Sequence, residues 1–210
     1  MTHVDPITAV AKRLVDIVGA GLGLLLTLPL WPLIALAIKL DSPGPVLFRQ
    51  LRIGRGSADR TELFTMLKFR SMRVDAEART GAVWAKKNDD RITRVGRFLR
   101  KTRLDELPQL LNVLRGDMSL VGPRPERPGI FGKLERAIPF YAERIYGVTP
   151  GITGLAQVMN GYDETLDDVR RKLLFDHSYA LALGNPLAWL RMDCLVMFRT
   201  VAVMVTGRGQ

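Results

Sequence analysis

The longest apolar run lies near the start of the chain: residues 17–38 contain no charged side chain. A straight helix of that length would reach about 33 Å at about 1.5 Å per residue, roughly one hydrocarbon thickness. Pro29 and Pro32 fall in its second half. Each removes a helix hydrogen bond and forces a bend. The run has cations on both sides: Lys12 and Arg13 before it, then Lys39, Arg49, Arg52, Arg55 and Arg60. Basic flanks are held on the cytoplasmic side. A bent, re-entrant helix over residues 1–40 keeps both there, whereas a straight span exports one. A buried core helix would rarely stay apolar for so long. Ala35-Leu36-Ala37 resembles a signal cleavage site, but the run exceeds an ordinary signal core.

Beyond the turn at Asp41-Ser42-Pro43-Gly44-Pro45, residues 46–53 and 62–69 are rich in branched and aromatic side chains. The loop between them holds Gly54, Gly56 and Ser57, so the pattern predicts a β-hairpin. Residues 74–90 are polar and read as a mobile helix or loop. Residues 92–101 form a short amphipathic pattern with a basic face. Leu107, Leu110, Leu111 and Leu114 follow at helical spacing, with Asp105 as N-cap, Pro108 in the first turn and Gly116 as the stop. Residues 128–146 and 166–183 read as helices, and residues 121–126 and 149–154 as punctuated loops. The C-terminal segment carries Leu187, Leu190, Cys194, Met197, Phe198, Val201 and Val205 at helical spacing, with Arg191 and Arg199 off the stripe. That stripe suits a helix lying in a membrane interface or one packed on the core. The fold class expected is mostly α with a small β-hairpin. It is a monotopic membrane protein with a re-entrant N-terminal helix and amphipathic interfacial helices. Residues 41–210 form the cytoplasmic catalytic domain.

Charge narrows the chemistry. The chain has 210 residues and a net charge of +10, which favours partners bearing phosphate: nucleic acid, an anionic membrane surface or phosphorylated substrates. No recognition-helix or stacking-aromatic pattern supports nucleic acid. The single cysteine, Cys194, excludes an intramolecular disulfide, fits a reducing compartment and reads as a packing residue. His3 and His177 lie far apart, which argues against a zinc site or a histidine-based triad.

Asp105 and Glu106 stand directly after Arg94, Arg97, Arg100, Lys101 and Arg103. A carboxylate at a helix start among guanidinium groups should have a depressed pKa and serve as nucleophile or metal ligand. The same cations would hold an anionic substrate. The plain alternative is a capping aspartate with surface salt bridges. Arg124 sits between Pro123 and Pro125, which fix the backbone. A rigid guanidinium there suits a diphosphate, and an ordinary proline-stabilised turn is the alternative.

Taken in order, the motifs resemble the bacterial sugar transferases that are monotopic phosphoglycosyl transferases. The elements are the apolar segment with Pro29, Lys39-Leu-Asp-Ser-Pro-Gly-Pro45, Phe48-Arg-Gln50, Lys68-Phe-Arg-Ser-Met72, Leu104-Asp-Glu-Leu-Pro-Gln109, Asn112-Val-Leu-Arg-Gly-Asp-Met-Ser119, Val121-Gly-Pro-Arg-Pro125 and Pro150-Gly-Ile-Thr-Gly-Leu-Ala-Gln157. The resemblance implies transfer of a phosphosugar from a nucleoside diphosphate sugar, usually a UDP-sugar, to polyprenyl phosphate. The products are polyprenyl diphosphate sugar and UMP, and Mg2+ is required. It makes Asp105 the nucleophile that forms a covalent phosphosugar intermediate. Glu106 is its partner in metal binding or proton transfer. Lys68, Arg100 and Arg124, with Pro123 and Pro125, match substrate-binding positions. The partners implied are nucleotide sugar, polyprenyl phosphate, inner-membrane lipid and a second copy of the chain, at the cytoplasmic face of the bacterial inner membrane.

Three departures from the family's pattern stand out. Leu28 replaces a serine before the membrane-segment proline, Thr149 replaces an arginine before the Pro-Gly-Ile-Thr-Gly loop, and Met159-Asn-Gly-Tyr162 replaces a commoner Asn-Gly-Arg near the sugar. Larger members carry extra N-terminal spans, and this chain is expected to hold the catalytic unit alone. A membrane-anchored scaffold that binds phosphate-rich partners is the competing reading; it has no need of the Asp105–Glu106 pair.

Overall fold

The computed structural model describes residues 4–76, 89–160 and 165–206. Most of the polar stretch at 74–90, and Tyr162, lie outside the described residues. The fold is mainly helical with one small antiparallel hairpin, as the pattern predicts.

Helix α1 (Pro6–Thr27) starts at Asp5, whose carboxylate accepts the Thr8 N–H at 3.0 Å. One 3-10 turn, Leu28–Leu30, separates it from α2 (Trp31–Asp41). The interruption contains Pro29, and Pro32 sits in the first turn of α2, so two backbone donors are missing around it. Leu28 provides no hydroxyl, but Thr27 just before it donates to the Gly23 carbonyl at 2.7 Å. Back-bonding of this kind helps a helix bend.

Helix α1 is amphipathic with its polar face inward. Thr8, Lys12, Asp16 and Ala20 form the buried face, while Val10, Leu14, Val18, Leu22 and Leu25 are exposed. A helix in water does the reverse. The inward face is fully partnered. Lys12 reaches Asp193 at 2.8 Å, and Asp16 accepts the Ser119 hydroxyl at 2.9 Å and the Leu120 N–H at 2.8 Å. Arg13 donates to the Val113 and Leu114 carbonyls at 2.6 and 2.7 Å, satisfying the free end of another helix. At the far end of α2, Asp41 accepts the Val95 N–H at 3.0 Å, and Arg70 holds the Ser42 carbonyl at 2.7 Å and the Pro43 carbonyl. Both ends of the apolar segment are therefore tied to one body.

That body is built on the hairpin of β1 (Leu47–Gly56) and β2 (Thr61–Phe69), paired from Leu47 opposite Phe69 to Ile53 opposite Leu63, with an irregularity before Gly56. Helix α3 (Arg94–Lys101) packs on α2, and α4 (Gln109–Arg115) packs on α1 and β2. Asn112 of α4, fully buried, accepts the Leu67 N–H at 3.0 Å and donates to the Thr65 carbonyl at 2.8 Å, locking α4 to β2. Gly116 ends α4 at a φ of 92°, the stop expected of it.

The rest wraps around this frame. Strand β3 (Ser119–Val121) pairs in parallel with β4 (Gly151–Thr153). The helices are α5 (Pro128–Ala137), α6 (Leu155–Met159), α7 (Leu166–Ala182) and α8 (Pro186–Thr206). The helix read over 128–146 stops at Ala137, because Pro139 forces Ile138 into an extended conformation, φ −130° and ψ 113°. A 3-10 turn at Ala142–Ile145 follows. On α8, Trp189, Asp193 and Val196 face inward, whereas Leu187, Leu190, Met197, Phe198 and Val201 are exposed. Cys194 belongs to that exposed face and is not a packing residue.

One close approach sets the α3 position. A Cβ on Gly96 would lie 2.0 Å from the Ser71 carbonyl oxygen, whereas one on Gly21 would meet nothing within 4 Å. Gly96→Ala is expected to destabilise the fold by about 1–3 kcal/mol. Gly21→Ala should be neutral or stabilising by up to about 1 kcal/mol. Thermal unfolding of the two variants in one detergent checks the contrast, and equal melting temperatures would refute it.

Candidate active site

The turn between α3 and α4 carries the two adjacent carboxylates. Arg103 takes a left-handed conformation, φ 58° and ψ 13°, and reverses the chain after α3. A single 3-10 turn, Leu104–Glu106, follows, and Pro108 caps α4. Asp105 is thus not the N-cap of a helix; it lies one turn upstream. Leu104 and Leu107 pack against the cluster of Ile34, Ile38, Phe69 and Leu99. These apolar anchors fix the turn between α2 and the hairpin, and Glu106 meets Lys68 of β2 at 2.7 Å.

The electrostatics differ from the sequence expectation. Burial raises the Asp105 carboxyl above its ordinary value of 3.8, against the pull of Lys68, and Glu106 beside it adds to the rise. Arg100 and Arg103 pull it down without reversing the direction. The expected depression belongs to Glu106 instead. Burial alone would raise that group, but Lys68, Arg124 and Arg103 bring it down to about 2. Burial lowers Lys68, and Glu106 opposes that shift. Burial weighs on both groups; what separates them is that the nearest ammonium bonds Glu106 and not Asp105. Two adjacent carboxyls pushed in opposite directions is a pattern suited to two different tasks.

Asp105 Oδ1 is buried without a hydrogen-bond partner among the described residues. An orphaned carboxylate oxygen beside a second carboxylate fits a hard divalent cation. Mg2+ commonly takes one or two protein carboxylates and completes its shell with water and phosphate oxygens. No group of three acidic, histidine or cysteine side chains gathers among the described residues.

Arg124 reaches the same place from the other side. It is close enough to act on both Lys68 and Glu106, and its own side chain is exposed, whereas Pro123 and Pro125 are buried. Its loop is pinned carbonyl by carbonyl. Val121 O accepts from the Tyr179 hydroxyl at 3.0 Å and Pro123 O from Gly151 N at 2.9 Å. Arg124 O accepts from Arg144, Pro125 O from Arg52 at 2.8 Å, and Glu126 O from Ile53 N at 2.8 Å. Arg144 is itself held by Asp176 at 2.6 Å. Gly122 and Gly151 permit the backbones to touch; a Cβ on Gly122 would lie 2.3 Å from the Thr149 oxygen. Thr149, where an arginine was expected, accepts a hydrogen bond from Arg55 at 2.6 Å. A small cleft between these elements is lined by Lys68, Gln109 and Arg124, among others.

Asp105, Glu106, Lys68, Arg100 and Arg124, all predicted from sequence, therefore converge. The supporting side chains were not predicted. Arg52, Arg144 and Asp176 carry no motif. Lys12, Asp16 and Asp193 had a legible signal: isolated charges on otherwise apolar helices, which must find partners.

Comparison with known proteins decides the family: the pattern of bacterial sugar transferases matches residues 7–207. The chain belongs to the bacterial sugar transferase family. It is 47% identical over 205 residues to a UDP-N-acetylgalactosamine-undecaprenyl-phosphate N-acetylgalactosaminephosphotransferase of Aeromonas hydrophila, covering 98% of this chain and 46% of that protein. It is 47% identical over 197 residues to a UDP-glucose:undecaprenyl-phosphate glucose-1-phosphate transferase of Caulobacter vibrioides, covering 93% and 70%. An exopolysaccharide production protein of Rhizobium leguminosarum is 43% identical, covering 95% and 98%. The chain thus spans under half of the Aeromonas relative and nearly all of the Rhizobium one.

The raised carboxyl makes a stability prediction. In the unfolded chain Asp105 ionises near 3.8, and in the fold it ionises at higher pH. The ionised form therefore destabilises the fold above the folded value, and that penalty vanishes below the unfolded one. Asp105→Asn is expected to melt higher than the parent at about pH 8 and to lose that advantage at about pH 3. Melting curves at the two pH values check this, and an advantage that grows toward acid would contradict it.

Proposed function

We propose that this transferase moves a phosphosugar from a UDP-sugar to undecaprenyl phosphate, working from one face of a membrane. The observation that carries the proposal is Asp105 Oδ1, buried and unpartnered, beside the Lys68–Glu106 pair and Arg124. The names of the relatives support the substrates. The Asp105 carboxylate attacks the sugar-bearing phosphorus. The bond from that phosphorus to the bridging oxygen breaks, and UMP leaves with the electron pair. A phosphate oxygen of the polyprenyl acceptor then attacks the same phosphorus, breaking the bond to Asp105 and restoring its carboxylate. Polyprenyl diphosphate sugar is the product.

Each side chain has a physical task in that scheme. Glu106 stays ionised and holds the Lys68 ammonium in place. Arg124, on its pinned loop, presents a guanidinium to the diphosphate. Arg100 adds positive potential at Asp105. Asp105 and Glu106 would hold Mg2+, which when bound supplies charge neutralisation for the diphosphate. Release of UMP from a panel of UDP-sugars tests the reaction and identifies the sugar. Asp105→Asn should release none while still partitioning with membranes, and Glu106→Gln should be severely impaired. Undiminished release by Asp105→Asn would sink the assignment.

The membrane part of the proposal is a re-entrant insertion of α1 and α2 from the cytoplasmic face of the inner membrane. It is supported by the outward apolar face of α1 and by the polar ties that hold both ends to one body. The exposed stripe of α8 would lie in the interface. Cysteines placed at Thr2 and Ser57, in a Cys194→Ser background, should both resist an impermeant thiol reagent in intact cells and react after permeabilisation. Labelling of Thr2→Cys alone in intact cells would establish a straight span.

A further inference from the structure

The cleft beside Lys68 and Arg124 is lined by another side chain with an unbonded polar atom. Gln109, the first residue of α4, is 3% exposed, and its Nε2 is buried without a hydrogen-bond partner. It lines the cleft together with Lys68 and Arg124. A buried amide donor left unbonded costs on the order of 1–3 kcal/mol. Trp31 Nε1 and Gln157 Oε1 are also buried without a bonding partner among the described residues, but neither lines the cleft. Asn112, less than one helical turn further along the same helix, meets the Leu67 N–H, the Thr65 carbonyl and Asp117 with its amide at 2.8–3.0 Å. The two carboxamides of α4 thus differ: the scaffold uses Asn112 fully, whereas Gln109 Nε2 is left unbonded beside the cleft.

The geometry also selects the kind of atom it would meet. Nε2 is a donor and requires an acceptor. Lys68 and Arg124, which share the cleft, offer only donors at their charged ends. No acceptor among the described residues bonds Nε2, which leaves the place open to an acceptor on a ligand. Three donors converging on one cleft, two of them cationic, fit a phosphoryl oxygen. The backbone that carries Gln109 is well fixed, because Asn112 anchors α4 to β2 and Arg13 holds the α4 carbonyls.

We infer that Gln109 is a substrate-contacting residue whose side-chain amide donates to a phosphoryl oxygen of the nucleoside diphosphate donor. The inference rests on the donor-phosphate reading of the cleft. It adds a neutral, directional donor to the cations. A neutral donor contributes without screening by salt and without repelling Lys68 and Arg124 in the empty site.

Gln109→Leu, near in shape and without polar atoms, separates the inference from a packing role. Donor KM should rise roughly fivefold to tenfold, the scale of one hydrogen bond to a charged oxygen, with acceptor KM unchanged. The melting temperature of the ligand-free protein should stay level or rise, because the unbonded amide is gone. The rise in melting temperature caused by adding UDP should shrink. Gln109→Met offers the same comparison if the leucine variant is poorly folded. Gln109→Glu, which sets a negative charge against the phosphoryl oxygen, should lose more donor affinity than either. Unchanged donor KM and UDP response in Gln109→Leu or Gln109→Met would overturn the inference, as would a lowered ligand-free melting temperature with donor KM intact. A wild-type protein that releases no UMP from any UDP-sugar would overturn the underlying reading instead, and with it the role given to Gln109.

Discussion

Lys12 of the N-terminal helix meets Asp193 of the C-terminal helix at 2.8 Å, and both are nearly closed off from solvent. Asp193 also accepts from Trp189 Nε1 at 2.8 Å and lies 2.9 Å from the Tyr179 hydroxyl, which is 3.0 Å from the Val121 carbonyl. One ion pair thus binds α1, α7, α8 and β3 at a single point. A buried charge is tolerated only when it is paired and hydrogen-bonded, so this junction is all or nothing. It explains why α1 turns its polar face inward. With Lys12 and Asp16 consumed inside, the helix has only apolar side chains to show its surroundings, and a lipid surface is where such a face is at rest. It also explains how an apolar helix stays in register with the soluble body: by specific polar contacts, because packing against lipid or protein hydrocarbon differs little.

The site follows the opposite rule. Around the site the frame is tightly bonded: Asn112 uses its amide three ways, and the loop around Arg124 has its carbonyls taken one after another. At the dyad, Asp105 Oδ1 and Gln109 Nε2 are left without partners. An unbonded acceptor and an unbonded donor held at this place by the frame suit a ligand carrying a cation and phosphate oxygens. Lys68 serves the arrangement twice. Its bond to Glu106 keeps that carboxylate charged, while its pull on Asp105, through space, does not offset the burial of that group. The stability of the empty protein is lowered at the point where the chemistry is proposed, a common trade in catalytic sites.

Much of this was legible in the sequence. Residues 46–69 announced the hairpin by branched side chains around glycines, and Pro29 with Pro32 placed the break in the apolar segment. Asp105, Glu106 and Arg100 were named in advance because an Asp-Glu pair directly after a run of cations forms a recognisable string, Arg124 because two prolines flank it, and Lys68 by resemblance to the family. What was not legible depended on distance in the chain. Asp105 was read as a helix cap because a one-turn 3-10 segment leaves no periodicity to see. Its pKa was given the wrong direction because adjacent cations in sequence do not reveal burial, nor that Lys68, thirty-seven positions earlier, would bond Glu106 instead. The helix read through residue 146 ignored what Pro139 does to its predecessor. The stripe on α8 was consistent with two opposite orientations until Trp189, Asp193 and Val196 were seen to take the inner side.

The central claim is that Asp105 is a nucleophile, and a trapped intermediate tests it most directly. Wild-type protein incubated with its UDP-sugar and Mg2+ but without polyprenyl acceptor should accumulate a phosphosugar on the peptide containing Leu104 to Gln109. Fragmentation in the mass spectrometer should assign it to Asp105, and added undecaprenyl phosphate should discharge it. A phosphosugar found on any other residue, or product formed steadily with no adduct at any time in single-turnover sampling, would contradict the account.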